Sequence, residues 1–247
     1  MTSDHFFVPK DGIAWPKAVI EGDQHRHLSV VVRFRVGDEI RIFDESGARY
    51  RGRIEAVEKE RTILGLLEIL PGSAEPHVKV VLAQAMLKPK AMDFIIQKAT
   101  ELGAAGIIPV RAVRSVARVD GRWDGKAARW TRIAREAAKQ SRRSSLPWIG
   151  RPRPVDQLGD ASGEGEARFV LSENVGLPLK TRLLETLETG LPASALIAVG
   201  PEGGWTESEL ESLRARGFRP VSLCDRILRA ETASLVAIAL IDHLWNL

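Results

Sequence analysis

A glycine-rich turn at residues 200–205, Gly-Pro-Glu-Gly-Gly-Trp, is the first candidate binding element of the chain. An apolar run at 195–199 precedes it, and a capping pattern, Thr206 followed by Glu209, starts a helix directly after it. The turn matches neither the phosphate-loop pattern nor the dinucleotide fingerprint, and Glu202 would repel a pyrophosphate at the helix N-terminus. We therefore expect a ligand without phosphate, such as the positively charged nucleoside S-adenosylmethionine. The alternative is a structural turn that binds nothing.

A second cluster of polar residues lies at 226–232, where a predicted strand gives way to the last helix. Its charged and polar side chains are interleaved with apolar Ile227 and Leu228, and they are Arg226, Arg229, Glu231 and Thr232. Charges placed this closely among apolar residues after a strand indicate a binding site more than an open surface. The alternative is a structural salt bridge between Arg229 and Glu231.

The basic residues are unevenly distributed along the chain. Between Arg111 and Arg153 there are eleven arginines and two lysines against three acidic residues, although the whole chain carries only +4. Such a concentration of positive charge predicts a polyanion partner, and arginine also stacks on exposed RNA bases. A predicted helix at 126–143 has an apolar face and, opposite it, a row of basic residues that we call the basic rail. The basic rail consists of Arg129, Arg132, Lys139 and Arg143. The alternative is a solvated helix face.

The elements that would position these residues fall into two parts. Residues 1–72 contain short stretches of alternating apolar and polar residues, typical of a small β-barrel. The segment 70–77 is rich in Pro, Gly and Ser and is the predicted linker. From residue 78 onward, helical patterns alternate with strand patterns at 78–83, 106–110, 168–172, 195–199 and 220–224. This alternation predicts an α/β domain with a mainly parallel sheet.

The last helical pattern, at 233–245, is apolar almost all round. Such a helix lies either deep in the core or partly in a subunit interface. We expect a homodimer formed through this helix.

Composition excludes several classes of protein. The single cysteine, Cys224, forms neither an intrachain disulfide nor a zinc site by itself, and the pair His25 and His27 has no cysteine nearby, so no metal is expected. No apolar run reaches the roughly 18 residues that cross a bilayer, and the N-terminus lacks the pattern of a secretory signal. These features predict a cytoplasmic protein with no membrane partner.

Several motifs, in the order in which they occur along the chain, resemble those of the RsmE family of the SPOUT superfamily. The motifs are "VVVRFRVGDEIRIFD", "GARYRGRI", "QAMLKPKAMDFIIQKATELG", "AAKQSRRSSLPWI", "GPEGGWTESEL" and "ILRAETA". The chain departs from the family pattern at two positions. Cys224 stands where the family usually has a glycine before the Ile-Leu-Arg motif, and Val113-Arg114-Ser115 lacks the expected acidic residue before Arg-Ser.

The resemblance implies a PUA-like β-barrel at 1–72 and, at 73–247, a SPOUT methyltransferase domain of α/β class whose end is threaded into a deep trefoil knot. It implies methylation of N3 of a uridine in small-subunit (16S) ribosomal RNA, with S-adenosylmethionine as cofactor. In such knots three backbone loops hold the adenosine. The corresponding residues here are Leu171, Ser172, Glu173, Asn174, Gly200, Pro201, Glu202, Gly203, Gly204, Leu223, Cys224, Ile227, Leu228, Ala230 and Thr232.

The chemistry of methyl transfer to N3 suggests roles for several of these residues. Because N3 of uridine carries a proton, Arg229 is expected to stabilise the charge that appears on the ring oxygens when that proton leaves. Glu231 is expected to orient Arg229 or accept the proton, and Glu202 to orient the cofactor or the base. Gly203 is expected to need a positive φ. The expected RNA contacts are Arg33, Arg114, Arg132, Lys139, Arg142 and Arg143.

Two other functions are compatible with these residues. One is a SPOUT enzyme that methylates another RNA target, such as a ribose 2′-hydroxyl, although the N-terminal motifs disfavour it. The other is a non-catalytic RNA-binding protein of ribosome assembly. Titration with S-adenosylmethionine distinguishes this last function from both enzymes.

Overall fold

The computed structural model describes residues 5–44, 47–71, 77–116, 123–141, 143, 145–159, 165–173 and 176–246. The chain divides into two compact units. The first comprises Met1–Glu75 and Arg135–Leu146, and the second comprises Pro76–Ala134 and Pro147–Leu247. The predicted boundary between residues 72 and 73 lies outside the described residues, and the sequence did not indicate that Arg135–Leu146 would join the first unit.

The first unit contains a six-stranded sheet, in agreement with the β-rich pattern of residues 1–72. Its strands are β1 (His5–Phe7), β2 (Ile13–Ala14), β3 (Lys17–Glu21), β4 (Glu39–Phe43), β5 (Arg49–Val57) and β6 (Arg61–Leu70). The strand order is β1-β4-β5-β6-β3-β2, and every pair is antiparallel except β1 with β4. Helix α1 (Gly22–Arg26) continues into a π-helical segment, His27–Val32, which ends at Arg33 in the left-handed region with φ 64°.

Alternation along the strands produces the core of the first unit. On β5, for example, Ile54 is buried between the exposed Arg53 and Glu55, because successive side chains of a strand point to opposite faces. The inward-facing residues form one cluster: Phe6, Val8, Ala18, Ile20, Leu28, Ile40, Ile42, Ile54, Leu64 and Leu66.

The second unit is built on a parallel sheet with helical connections, which confirms the predicted α/β class. Its strands are β7 (Lys79–Ala85), β8 (Gly106–Arg111), β9 (Trp148–Ile149), β10 (Arg153–Pro154), β11 (Glu166–Leu171), β12 (Leu177–Pro178), β13 (Ser194–Val199) and β14 (Arg219–Ser222). Its helices are α2 (Pro89–Glu101), α3 (Trp123–Gln140), α4 (Leu179–Thr189), α5 (Glu207–Ala215) and α6 (Ala230–Trp245). The last residues of α3 belong to the first unit.

The sheet of the second unit has the order β10-β8-β7-β13-β11-β14-β12, and β9 pairs with the β8 strand. All of these pairs are parallel. Alternate residues of β13 enter two different hydrophobic clusters, with Ile197 in one and Leu196 in the other. Both faces of this strand are therefore covered, which explains why its sequence is a continuous apolar run.

One face of helix α6 is buried, and the opposite face is exposed to solvent. The buried residues are Ala230, Ser234, Ala237, Ile238, Ile241 and Trp245, and the helix packs against α2, α4 and β7. On the opposite face Thr232, Val236 and His243 are exposed. Ile241 is fully buried in the core of its own chain, so any subunit contact of α6 must use the outward face.

Candidate functional site

Three loops meet at one edge of the parallel sheet. Strands β13, β11 and β14 are neighbours, with Val170 opposite Ala198 and Leu171 opposite Val221. The backbone N–H of Ser172 donates to the carbonyl of Val221 at 3.0 Å. Because the carboxyl ends of parallel strands share an edge, the segments that follow the three strands lie side by side, where ligands of α/β sheets commonly bind.

The glycine turn after β13 is closed by its own backbone. The N–H of Gly204 donates to the carbonyl of Pro201 at 2.9 Å, and Gly204 has φ 68°. Gly203 does not have a positive φ, so the prediction that placed the left-handed residue there is wrong by one position. At Gly200, a Cβ atom would lie 3.2 Å from the indole nitrogen of Trp205, which is largely buried. The turn therefore requires a glycine at 204 and favours one at 200.

The predicted capping box at the start of α5 is present. The Oε2 atom of Glu209 accepts from the backbone N–H of Thr206 at 2.8 Å, and the N–H of Glu209 donates to the Thr206 hydroxyl at 3.3 Å. Glu209 is only 6% exposed. These bonds fix where the helix begins relative to the glycine turn.

A contact that the sequence did not indicate joins the segment after β8 to this turn. The second carboxylate oxygen of Glu209, Oε1, accepts from the backbone N–H of Val113 at 2.8 Å. The next residue, Arg114, donates from Nη1 to the carbonyl of Gly203 at 2.8 Å. The structure thus places an arginine predicted to contact RNA directly against the turn predicted to hold the cofactor.

The third loop leads from β14 into α6. Leu223 packs against the core, and the thiol of Cys224 donates to the carbonyl of Arg226 at 3.4 Å. Ile227 is 79% exposed, whereas Leu228 is half-buried and Ala230 is buried. The loop therefore presents an apolar side chain together with charged ones, as its composition predicted.

The three predicted catalytic side chains are unpaired in the described part of the chain. Arg229 and Glu202 are exposed and Glu231 is half-buried, and none forms a hydrogen bond or ion pair with another described residue. The alternative of an Arg229–Glu231 salt bridge is therefore not observed. Arg229 is the N-cap residue of α6, where its carbonyl accepts from the N–H of Ala233 at 2.8 Å.

The start of α6 is fixed by a buried polar contact. The hydroxyl of Ser234 lies 2.5 Å from Oε1 of Gln84 and 2.8 Å from the carbonyl oxygen of Ala230. Gln84 and Ser234 are both fully buried. Distorting the hydrogen bonds of a buried polar pair destabilises the folded state. This contact therefore holds the first turn of α6, and Arg229 with it, at the end of β7.

The structure corrects one member of the basic rail. Lys139 is only 6% exposed, and its ammonium lies 5.3 Å from the centre of the Phe6 ring. Burial lowers the pKa of Lys139 from its ordinary value, partly offset by Glu136. Lys139 is therefore a packed residue of the first unit and not an exposed RNA contact. Arg135 of the same helix lies over Phe7, 4.3 Å from the ring centre.

The remaining predicted RNA contacts differ in their surroundings. Arg33 and Arg132 are exposed, and Arg143 is half-buried with a partner. Arg129 pairs with Asp93. The predicted residues Arg142 and Asn174 lie outside the described residues.

The pair His25 and His27 has a structural role in the first unit. Nδ1 of His25 lies 2.9 Å from the Thr62 hydroxyl, and Nε2 lies 3.3 Å from the carbonyl of Lys59. Burial, followed by the charge of Lys139, lowers the pKa of His27. Among the described residues, no three His, Cys, Asp or Glu side chains are grouped as metal ligands. Nor does this part of the chain contain a helix long and apolar enough to span a membrane.

Two family models match the chain. One, described as an RNA methyltransferase domain, covers residues 74–242, and the other, described as an RNA methyltransferase PUA domain, covers residues 20–67. Among curated proteins, the chain is 33% identical to ribosomal RNA small subunit methyltransferase E of Bacillus subtilis, over 92% of this chain and 90% of the relative. It is 32% identical to the protein of that name from Synechocystis, over 98% of this chain and 80% of the relative.

Solved structures resemble the whole chain. The ribosomal RNA small subunit methyltransferase E of Neisseria gonorrhoeae, bound to S-adenosyl methionine, superposes with a TM-score of 0.86 at 30% identity, covering 98% of this chain and 97% of that one. A putative methyltransferase of Legionella pneumophila, in complex with the same cofactor, superposes with a TM-score of 0.84 at 25% identity, covering 98% of both chains.

Proposed function

The chain belongs to the ribosomal RNA small subunit methyltransferase E family, and from this premise we propose that it methylates N3 of a uridine in 16S ribosomal RNA with S-adenosylmethionine as donor. The observation that carries the proposal is the meeting of three loops at the carboxyl edge of β13, β11 and β14, in a chain whose fold matches that of a relative bound to this cofactor.

The residues of the three loops fit a nucleoside with a positive charge. The glycine turn offers backbone groups without a lysine or a phosphate-loop pattern, and Glu202 supplies a negative charge that suits a sulfonium. At Gly200 the close Trp205 ring leaves little room for a side chain. The cofactor would lie against Ser172, Gly200–Gly204 and Leu223–Ala230, where it supplies an electrophilic methyl group.

We assign Arg229 to stabilising the charge that develops on the uridine ring and Glu231 to accepting the N3 proton. The N3 proton of uridine must leave, and the resulting negative charge spreads to the ring oxygens. Arg229, unpaired among the described residues, would donate to one of these oxygens and stabilise that charge. Glu231, in the first turn of the helix whose N-cap position Arg229 occupies, would accept the proton.

RNA would be held mainly by exposed arginines. Arg33, Arg114 and Arg132 are exposed, and guanidinium groups bind phosphates through two parallel hydrogen bonds. The PUA-type match at residues 20–67 suggests that the N-terminal unit contributes to RNA binding. Because ribosomal RNA is the substrate, the cytoplasm is the expected compartment.

We further propose a homodimer through the outward face of α6. Val236 is 37% exposed, and Leu235, Ala239 and Leu240 around it are half-buried. The deep trefoil knot is proposed from the family resemblance, and the domain boundary at 72/73 is proposed from the change of sequence pattern at the predicted linker.

Mass spectrometry of ribosomal RNA from cells with and without the protein tests the function. We expect one 3-methyluridine in the 16S RNA to disappear with the gene and to return when purified protein and S-adenosylmethionine are added to subunits from the deletion strain. Loss of a ribose methylation in place of the base methylation would contradict the proposal.

A further inference from the structure

We propose that Glu209 is a positioning residue that holds Arg114 against the glycine turn, so that a single guanidinium contacts both the cofactor loop and the RNA. The inference rests on the proposed function and deepens it. It assigns to Glu209 a role beyond helix capping, and to Arg114 a role beyond a general phosphate contact.

The carboxylate of Glu209 connects two segments that are distant in sequence. Oε2 serves the capping box, where it accepts from the N–H of Thr206 at 2.8 Å and lies 3.0 Å from the Thr206 hydroxyl. Oε1 accepts from the N–H of Val113, 96 positions earlier in the chain. Capping requires only the first oxygen. The second oxygen fixes the backbone immediately before Arg114.

Arg114 lies along the glycine turn. A Cβ atom at Gly203 would be 3.2 Å from Cβ and 3.4 Å from Cδ of Arg114, and Nη1 donates to the carbonyl of Gly203. This partner is neutral, and no carboxylate of a described residue pairs with Arg114. A guanidinium has five N–H donors, so an exposed Arg114 keeps its full charge and most of its donors for a phosphate.

The arrangement links two binding events. A phosphate next to the target uridine would be held by the group that also bonds to the cofactor loop. Movement of the Val113 backbone would displace both contacts together. Loss of the Glu209 bond should therefore weaken RNA binding through Arg114.

The substitution Glu209→Gln removes one of the two backbone contacts of this carboxylate and so tests its positioning role. Both carboxylate oxygens accept from backbone N–H groups, so an amide must point its NH₂ group at one of them in either orientation, and one bond is lost while the shape is kept. Glu211→Gln is the matched control, because Glu211 lies on the same helix, is exposed and has no partner among the described residues.

The test is a double-mutant cycle on the dissociation constant of a 16S RNA fragment, measured by fluorescence anisotropy, together with single-turnover methylation. Arg114→Ala should raise the dissociation constant about tenfold, which corresponds to one charge-assisted contact. Glu209→Gln should raise it by a similar factor, and the double variant should be no weaker than Arg114→Ala alone. For Arg114→Ala and Glu209→Gln, the single-turnover rate at saturating RNA should stay within about threefold of wild type, because the loss is expected in RNA binding. Glu211→Gln should match wild type in both the dissociation constant and the rate.

Three results would overturn the inference. Additive effects in the double variant would show that Glu209 does not act through Arg114. An unchanged RNA dissociation constant for Arg114→Ala would show that the arginine does not contact the RNA. Because the Arg114 side chain is exposed, this variant should fold and keeps the test decisive if Glu209→Gln does not. If Glu211→Gln weakened RNA binding as much as Glu209→Gln, the effect of both variants would arise from the change in net charge. A wild-type protein that binds the RNA but transfers no methyl group would instead contradict the proposed function.

Discussion

Replacement of Arg229 by alanine should slow the methylation step and leave the fold intact. The Arg229 side chain is exposed, makes no capping bond to α6 and has no ion-pair partner among the described residues, so its removal should change the free energy of unfolding by less than about 0.5 kcal/mol. The carbonyl that accepts from Ala233 is retained. Loss of one hydrogen-bond donor to a developing negative charge in an active site costs about 10²- to 10³-fold in rate.

Single-turnover methylation at saturating RNA and cofactor measures this effect, and calorimetry measures the cofactor affinity. Arg229→Lys should recover little of the rate, because an ammonium does not reproduce the planar fork. Raising the pH eases loss of the N3 proton, so the rate of Arg229→Ala should rise more steeply with pH than that of wild type. Arg219→Ala is the control, since Arg219 is exposed at the amino end of β14, away from the loop. Unfolding of Arg229→Ala, or lost cofactor affinity with an unchanged rate at saturation, would refute the catalytic role.

Three other substitutions test separate parts of the site. Gly204→Val should abolish S-adenosylmethionine binding because φ is 68° there and a β-branched residue disfavours that region; unchanged affinity by calorimetry would remove the turn from the site. Arg132→Glu should weaken RNA binding and lower the log–log salt slope by roughly 0.7 for each phosphate that the protein no longer neutralises, and a slope equal to wild type would mean a solvated face. Val236→Asp should convert a dimer to a monomer in light scattering, whereas a monomeric wild-type protein would contradict the proposed interface.

The local patterns predicted the elements that build the site. The apolar run at 195–199 and the T-x-x-E motif together predicted a strand, a turn and a capped helix, which are β13, the glycine turn and α5. Each depends on neighbours within a few residues, so the sequence contains the required information. The parallel sheet followed from the same local alternation of strand and helix patterns.

Long-range contacts account for what the sequence could not predict. Lys139 falls on the polar side of α3 when the helix is considered alone, but Phe6 of the first unit covers it. The bond from Val113 to Glu209 joins residues 96 positions apart, and only folding brings them together. The misplaced positive φ has a different cause, since the Gly204–Pro201 hydrogen bond decides which of two adjacent glycines turns to the left-handed region.

The two departures from the family pattern become understandable in the same terms. Among the described residues, Arg33 is the only non-glycine residue with positive φ, so Cys224 occupies a backbone conformation open to any side chain, and its thiol bonds within the loop. Glycine is therefore not required there for its conformational freedom. At Val113 the contact to Glu209 uses the backbone N–H, while the side chain is 76% exposed. An acidic side chain is not needed to hold this segment, because the carboxylate that does so comes from α5.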